Sequence, residues 1–96
     1  MMTYDGEQFG HTNTHWEKVA GTRWGAYTTE VEKRAILKAH DLSGESQTAI
    51  EIGCEGGRWS KLLTNLGWNM ICVDINEAVL KICKKRIPTA NCILVN

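Results

Sequence analysis

Three short apolar runs lie in the second half of the chain, separated by segments in which polar residues are interspersed. Each run is five residues long, which suits a buried strand better than a helix. The predicted strands are residues 48–52, 69–73 and 91–95.

Amphipathic segments fill the two gaps between these strands and predict helices. The first covers residues 57–66 and ends at Gly67, a residue favoured just after a helix. The second begins after Asn76, a good N-cap, and runs to about Arg86, with Pro88 preventing its continuation. A strand–helix–strand–helix–strand order predicts right-handed crossovers and a parallel sheet in an α/β fold.

The first half of the chain predicts two helices with no strand. Residues 14–17, Thr-His-Trp-Glu, fit a capping box for a short helix at 15–20 that ends at Gly21. Residues 29–32, Thr-Glu-Val-Glu, fit a second box that opens a longer helix to about His40. The apolar residues on one face of this longer helix are Val31, Ala35, Ala39 and Leu42, with Ile36 beside them. We therefore divide the chain into a helical segment, 1–44, and a core segment, 45–96.

Composition narrows the possible partners and locations. Eleven basic and eleven acidic side chains give a formal net charge of +0, which argues against a nucleic-acid partner. No apolar run approaches the roughly 20 residues that span a bilayer, so we expect no membrane insertion. The N-terminus lacks the pattern of a signal peptide, and we expect a cytoplasmic protein.

The four cysteines agree with a reducing compartment. Cys54, Cys72, Cys83 and Cys92 include no C-x-x-C pair, and three of them fall in apolar segments. This pattern favours buried, reduced thiols over zinc ligands or disulfides. His11 and His15 are four residues apart, but the first lies before the predicted helix, so we predict no metal site.

The stretch AIEIGCEGGRWS, residues 49–60, carries the main chemical signal. A strand that enters a helix through glycines presents backbone groups and the positive end of the helix dipole to a ligand. Asp74 ends the second strand, 21 residues after Gly53 and 17 after Gly57. In a doubly wound sheet this carboxylate lies beside the glycine turn and accepts hydrogen bonds from ribose hydroxyls. We therefore predict a cofactor that contains a ribose.

Two classes of nucleoside cofactor are candidates for such a turn. A dinucleotide motif, G-x-G-x-x-G, requires glycines where Glu55 and Arg58 stand. An acidic residue followed by G-x-G-x-G matches at Glu51, Gly53 and Gly57, with Glu55 in place of the middle glycine. Together with CVDIN at 72–76, this segment resembles the class I S-adenosylmethionine-dependent methyltransferases.

The resemblance implies a role for each residue at a matching position. Glu51 would lie near the methionine amino group, and Gly53, Cys54 and Gly57 would form the turn beneath the methionine part. Asp74 would hold the ribose hydroxyls, and Ile75 would contact the adenine. The cofactor-binding residues implied in this way are Glu51, Gly53, Cys54, Gly57, Asp74 and Ile75.

The resemblance also implies a partial Rossmann-like methyltransferase fold, β1-αA-β2-αB-β3, preceded by the N-terminal helices. In that fold the first strand is central, so we expect the chain to be the N-terminal, cofactor-binding half of an enzyme, an incomplete fragment that is inactive alone. The methyl acceptor and the catalytic residues stay unassigned. An alternative is a non-catalytic nucleoside-binding remnant, or a module whose open sheet edge pairs with a second copy or a complementing chain.

Overall fold

The structure, a computed structural model, describes residues 15–96. His11 and Thr14, which entered two of the predictions above, lie outside the described residues. The chain divides into two compact units, Met1–Gly44 and Glu45–Asn96. No helix within residues 15–96 is long and apolar enough to cross a membrane.

The first unit contains two helices joined by a tight turn. They are α1, His15–Ala20, and α2, Arg23–Leu42. The hydroxyl of Thr22 accepts a hydrogen bond from the backbone N–H of Gly25 at 3.0 Å and donates one to the carbonyl of Val19 at 2.7 Å. A Cβ on Gly25 would lie 1.8 Å from the Val19 carbonyl oxygen, so only glycine permits this close approach.

The predicted start of the longer helix at Thr29 is wrong, because α2 begins six residues earlier and ends at Leu42 rather than His40. Thr22 is the N-cap, and its side chain satisfies an N–H that the first turn leaves without an intrahelical partner. Within the helix, the hydroxyl of Thr28 donates to the carbonyl of Gly25 at 3.0 Å. The capping box at 29–32 is therefore a coincidence of residue types within a continuous helix.

The second unit is a three-stranded parallel sheet with two helices. Its elements are β1, Thr48–Ile52; α3, Arg58–Asn65; β2, Asn69–Asp74; α4, Glu77–Arg86; and β3, Asn91–Leu94. The strands are ordered β1-β2-β3, so the predicted partial Rossmann-like α/β fold is confirmed. The side chain of Asn76 caps α4 by accepting from the N–H groups of Ala78 and Val79, as its residue type predicts.

One face of the sheet carries the core. Ala49, Met70, Cys72 and Cys92 alternate along the three strands and pack beneath the two helices. The helices and the loops beside them contribute the remaining buried or partly buried apolar side chains, namely Cys54, Leu63, Trp68, Leu80, Cys83, Ile87 and Ala90. This packing fixes the start of α3 directly above the C-terminal ends of β1 and β2.

The opposite face of the sheet is apolar, and its side chains are exposed or only half-buried. Its residues, related by strand alternation and register, are Ile50, Ile52, Ile71, Val73 and Ile93. Ile52 is 80% exposed and Ile50 is 59% exposed. Parallel sheets normally have both faces covered, so this face is atypical for a unit that stands alone.

Candidate functional site

The turn between β1 and α3 is built from left-handed backbone. Gly53, Glu55 and Gly57 have φ angles of +71°, +52° and +81°. Glycine adopts this conformation without strain, whereas a residue with a Cβ does so at a cost of roughly 1–2 kcal/mol. Glu55, which stands in place of the middle glycine of the motif, therefore adopts the left-handed backbone itself, and the neighbouring Gly56 does not have a positive φ.

The two outer glycines of the turn face different surroundings. Apart from its two neighbours in the chain, no described residue has a heavy atom within 4 Å of where a Cβ on Gly53 would be, so this position opens outward. A Cβ on Gly57 would lie 2.6 Å from the Cys83 sulfur and 3.3 Å from Ile87 Cδ1. Gly53 is thus the glycine that leaves room for a ligand, while Gly57 allows the turn to pack on α4.

Most N–H groups of the turn are used within the fold. Those of Gly53 and Cys54 both donate to the carbonyl of Val73, at 2.7 and 3.1 Å. The N–H of Gly57 donates to the carbonyl of Cys54 at 2.9 Å. Gly53 and Cys54 can therefore accept hydrogen bonds from a ligand through their carbonyl oxygens, but they cannot donate to it through their N–H groups.

Asp74 extends from the end of β2 across to this turn. Its Oδ2 accepts a hydrogen bond from the backbone N–H of Glu55 at 2.9 Å, and its Oδ1 accepts one from the N–H of Asn76 at 2.9 Å. The structure thus brings Asp74 together with the glycine turn, as the spacing in the sequence predicts. The carboxylate is also a structural bridge between two loops, which the sequence does not reveal.

Glu51 points from β1 to the beginning of α3. One of its carboxylate oxygens accepts a hydrogen bond from the buried hydroxyl of Ser60 at 2.5 Å. Burial raises the pKa of Glu51, and hydrogen bonds from the Ser60 hydroxyl and backbone and the charge of Arg58 partly oppose this rise. Since Gly57 has no side chain to cap α3, Glu51 acts as the cap from a neighbouring strand.

Cys54, the remaining residue of the predicted turn, points inward. Only 4% of it is exposed, and burial raises the pKa of its thiol to about 12. The neutral thiol is therefore the stable form, and only the backbone of Cys54 is available to a ligand at the turn. Ile75 differs, because it follows β2 with 77% of its surface exposed, beside the carboxylate of Asp74.

Two residues that support the turn were not predicted. Ser60 is the third residue of α3, a position whose N–H needs a cap, so its pairing with an acidic residue has a local signal. Arg86 donates a hydrogen bond from Nη1 to the carbonyl of Gly56 at 3.2 Å. Thirty residues separate these two partners, and no local pattern in the sequence indicates such a contact.

In this parallel α/β unit, a glycine turn after the first strand meets an acidic residue at the end of the second. This arrangement is typical of folds that bind nucleotide cofactors. Residues 50–96, which are 47 of the 96 residues, match the family described as methyltransferase domain. This match confirms the resemblance of residues 49–76 to the class I S-adenosylmethionine-dependent methyltransferases. A comparison of the chain with curated proteins found no match.

Proposed function

We propose that residues 45–96 are the N-terminal, cofactor-binding half of a methyltransferase core, and that they bind S-adenosylmethionine at the turn between β1 and α3. The observation that carries the proposal is the position of Asp74, whose carboxylate lies within hydrogen-bond distance of the turn at Glu55. This arrangement puts an acidic acceptor and an outward-facing glycine backbone beside each other, and an adenosine with a methionine tail needs both.

Asp74 retains the capacity to hold a ribose while it bridges the two loops. A carboxylate has about four lone-pair positions, and the N–H groups of Glu55 and Asn76 use one on each oxygen. The two ribose hydroxyls can donate to the remaining positions without breaking either bond. Ile75, exposed next to Asp74, then supplies an apolar surface for the adenine ring.

The methionine end of the cofactor carries an ammonium group and needs acceptors. Gly53 and Cys54 offer carbonyl oxygens, since their N–H groups are already donated to Val73. Glu51 adds a carboxylate at the start of α3. Gly57 contributes to the same turn indirectly, because its lack of a Cβ lets the turn settle on Cys83.

When bound, the cofactor supplies an electrophilic methyl group on a sulfonium. The residues assigned above hold and orient that donor, and orientation is the main contribution that a methyltransferase makes to an in-line displacement. None of them is assigned to the methyl acceptor, so we expect the 96-residue chain to bind the cofactor without transferring its methyl group.

Calorimetric titration with S-adenosylhomocysteine, with NAD as the competing cofactor class, tests the proposal. We expect measurable binding of the former and a weaker response to the latter. The ribose contact is tested by a two-by-two comparison of the wild-type chain and Asp74→Asn against S-adenosylhomocysteine and its 2′-deoxy analogue. The wild type should discriminate between the two ligands by roughly tenfold, about 1.4 kcal/mol, and the variant should not.

This comparison separates ribose recognition from the structural role of Asp74. A variant that only loosens the turn weakens the binding of both ligands equally and leaves the ratio of their affinities unchanged. Equal discrimination by the wild type and Asp74→Asn therefore contradicts the ribose assignment even if both proteins bind the cofactor.

A second candidate function is a module that pairs with another chain, and the exposed face and edge of β1 favour it. Within residues 15–96, β1 is hydrogen-bonded to β2 alone, and Ile50 and Ile52 lie exposed on it. Such an edge accepts a further strand from a second copy or a complementing segment. Size-exclusion chromatography with light scattering distinguishes the outcomes, since a monomer at micromolar concentration contradicts self-pairing.

A further inference from the structure

Three cysteine sulfurs come together directly beneath the glycine turn. Cys54 lies in the turn, Cys72 in the middle of β2 and Cys83 in α4, and their Sγ atoms all lie within 4.8 Å of one another. Cys72 and Cys83 are fully buried, and Cys54 is 4% exposed. All three are free thiols.

We propose that Cys54, Cys72 and Cys83 form a three-thiolate site for a soft, thiophilic metal ion of the d¹⁰ class to which Zn²⁺, Cd²⁺ and Cu⁺ belong. Thiolates select such ions over hard cations such as Mg²⁺. The sequence alone predicts no metal site, because the three cysteines are 18 and 11 residues apart and no pair has a chelating spacing.

The spacing of the sulfurs suits an ion of this size. Three points no more than 4.8 Å apart fit inside a circle with a radius of at most about 2.8 Å, and a zinc–sulfur bond is about 2.3 Å. Each sulfur therefore needs to move inward by roughly 0.5 Å at most to coordinate an ion at the centre. Rotation about the Cα–Cβ bond and a small adjustment of the turn at Cys54 supply such a movement.

Two consecutive hydrogen bonds connect the cluster to Glu51. The Cys72 thiol donates to the Ser60 hydroxyl at 3.2 Å, and Ser60 in turn donates to Glu51 at 2.5 Å. Metal thiolates are oriented and tuned by hydrogen bonds of this kind from neighbouring groups. Once an arriving metal has displaced the Cys72 proton to solvent, the Ser60 hydroxyl can rotate to donate to the thiolate sulfur.

Nearby charges affect the free energy of metal binding at this site. Binding a divalent ion releases three thiol protons to solvent and leaves one net negative charge among the three thiolates. Arg86, which donates to the carbonyl of Gly56, places a positive charge on the turn that packs on Cys83. The positive end of the α3 dipole at Arg58 acts in the same direction. A hard cation that keeps water ligands suits this site less well, because the side chains around the three sulfurs are mostly apolar.

The test is a titration of the full chain with Cd²⁺ in the presence of a phosphine reductant, monitored by the ultraviolet charge-transfer band of cadmium thiolates. We expect one ion per chain and no response to Mg²⁺. Cys83→Ala and Cys54→Ala should lose the band. Cys92→Ala, which removes the one cysteine outside the cluster, is the matched control and should keep it. Ser60→Ala should weaken Cd²⁺ binding by about tenfold.

A second measurement needs no variant and stays informative if a cysteine substitution prevents folding. Cadmium-113 NMR of the wild-type chain reports scalar couplings to the β-protons of each ligand cysteine. Couplings to residues 54, 72 and 83 support the site. Absence of Cd²⁺ binding, a band that persists in Cys83→Ala, or couplings to a different set of cysteines each overturn the proposal. None of these readouts depends on S-adenosylmethionine, so failure here is distinct from failure of the proposed function.

Discussion

The carboxylate of Asp74 and the backbone N–H of Glu55 are joined by a hydrogen bond of 2.9 Å, which ties the end of the second strand to the middle of the glycine turn. Glu55 has a φ of +52°, an unfavourable backbone for glutamate. The other carboxylate oxygen holds the N–H of Asn76, the N-cap of α4. One side chain therefore holds a strained turn and the start of a helix in register.

Removing this bridge should destabilise the second unit even without a ligand. Asp74→Ala leaves two backbone N–H groups without their charged acceptor, and we expect a loss of about 1–3 kcal/mol in the free energy of unfolding. Asp74→Asn keeps one acceptor oxygen and should lose about half as much. Urea denaturation followed by circular dichroism measures both values, and a loss below about 0.5 kcal/mol for Asp74→Ala contradicts the bridge.

Gly57→Ala should be much more damaging than the same substitution at other glycines with positive φ. The new Cβ would meet the Cys83 sulfur at 2.6 Å in a packed core, which adds about 1–3 kcal/mol to the cost of the left-handed backbone. Gly53 lies in the same turn with a φ of +71° and open space around its Cβ position, so Gly53→Ala is the matched control. Both variants are compared by urea denaturation, and equal losses would falsify the packing role of Gly57.

The parts of the fold that follow from local pattern were predictable from the sequence. The three strands are short apolar runs, and α4 begins directly after an asparagine whose side chain caps it. Asp74 reaches the turn because parallel neighbouring strands end at the same edge, which is a rule of topology rather than of tertiary detail.

The remaining features depend on contacts between distant residues. The start of α2 at Arg23 requires Gly25 to approach the Val19 carbonyl, and a capping box at 29–32 competes with it in the sequence. Arg86 meets Gly56 only after the helix has packed on the turn. The cluster of three sulfurs draws one residue from each of three elements, so no spacing in the sequence indicates it.

The burial of Glu51 predicts a particular pH dependence of stability. Burial raises its pKa above the ordinary value of 4.5 in the folded chain, so the folded state binds the proton more tightly than the unfolded state. The contribution of Glu51 to the free energy of unfolding is therefore fully present at a pH below its pKa in the unfolded chain. It is lost as the pH rises through its pKa in the folded chain. Glu51→Gln keeps an acceptor for Ser60 but does not titrate.

We expect the stability of Glu51→Gln relative to the wild type to increase as the pH is raised from about 4 to about 7. Urea denaturation of both proteins at several pH values measures this difference, in which the contributions of all other titrating groups cancel. A difference that stays constant over this range, or that changes in the opposite direction, contradicts a raised pKa at Glu51.

The reactivity of the cysteines should follow their burial. Alkylation requires a thiolate, and with a pKa of about 12 only roughly one Cys54 in ten thousand is a thiolate at pH 8. Cys72 and Cys83 are fully buried, whereas Cys92 is only partly buried. In the metal-free chain, iodoacetamide should therefore modify Cys92 first and the other three only as the unit unfolds. Peptide mass spectrometry over a time course, with the urea-denatured chain as the control in which all four react alike, measures the order. Modification of Cys54 as fast as Cys92 in the folded chain shows that the turn does not hold its thiol in the core.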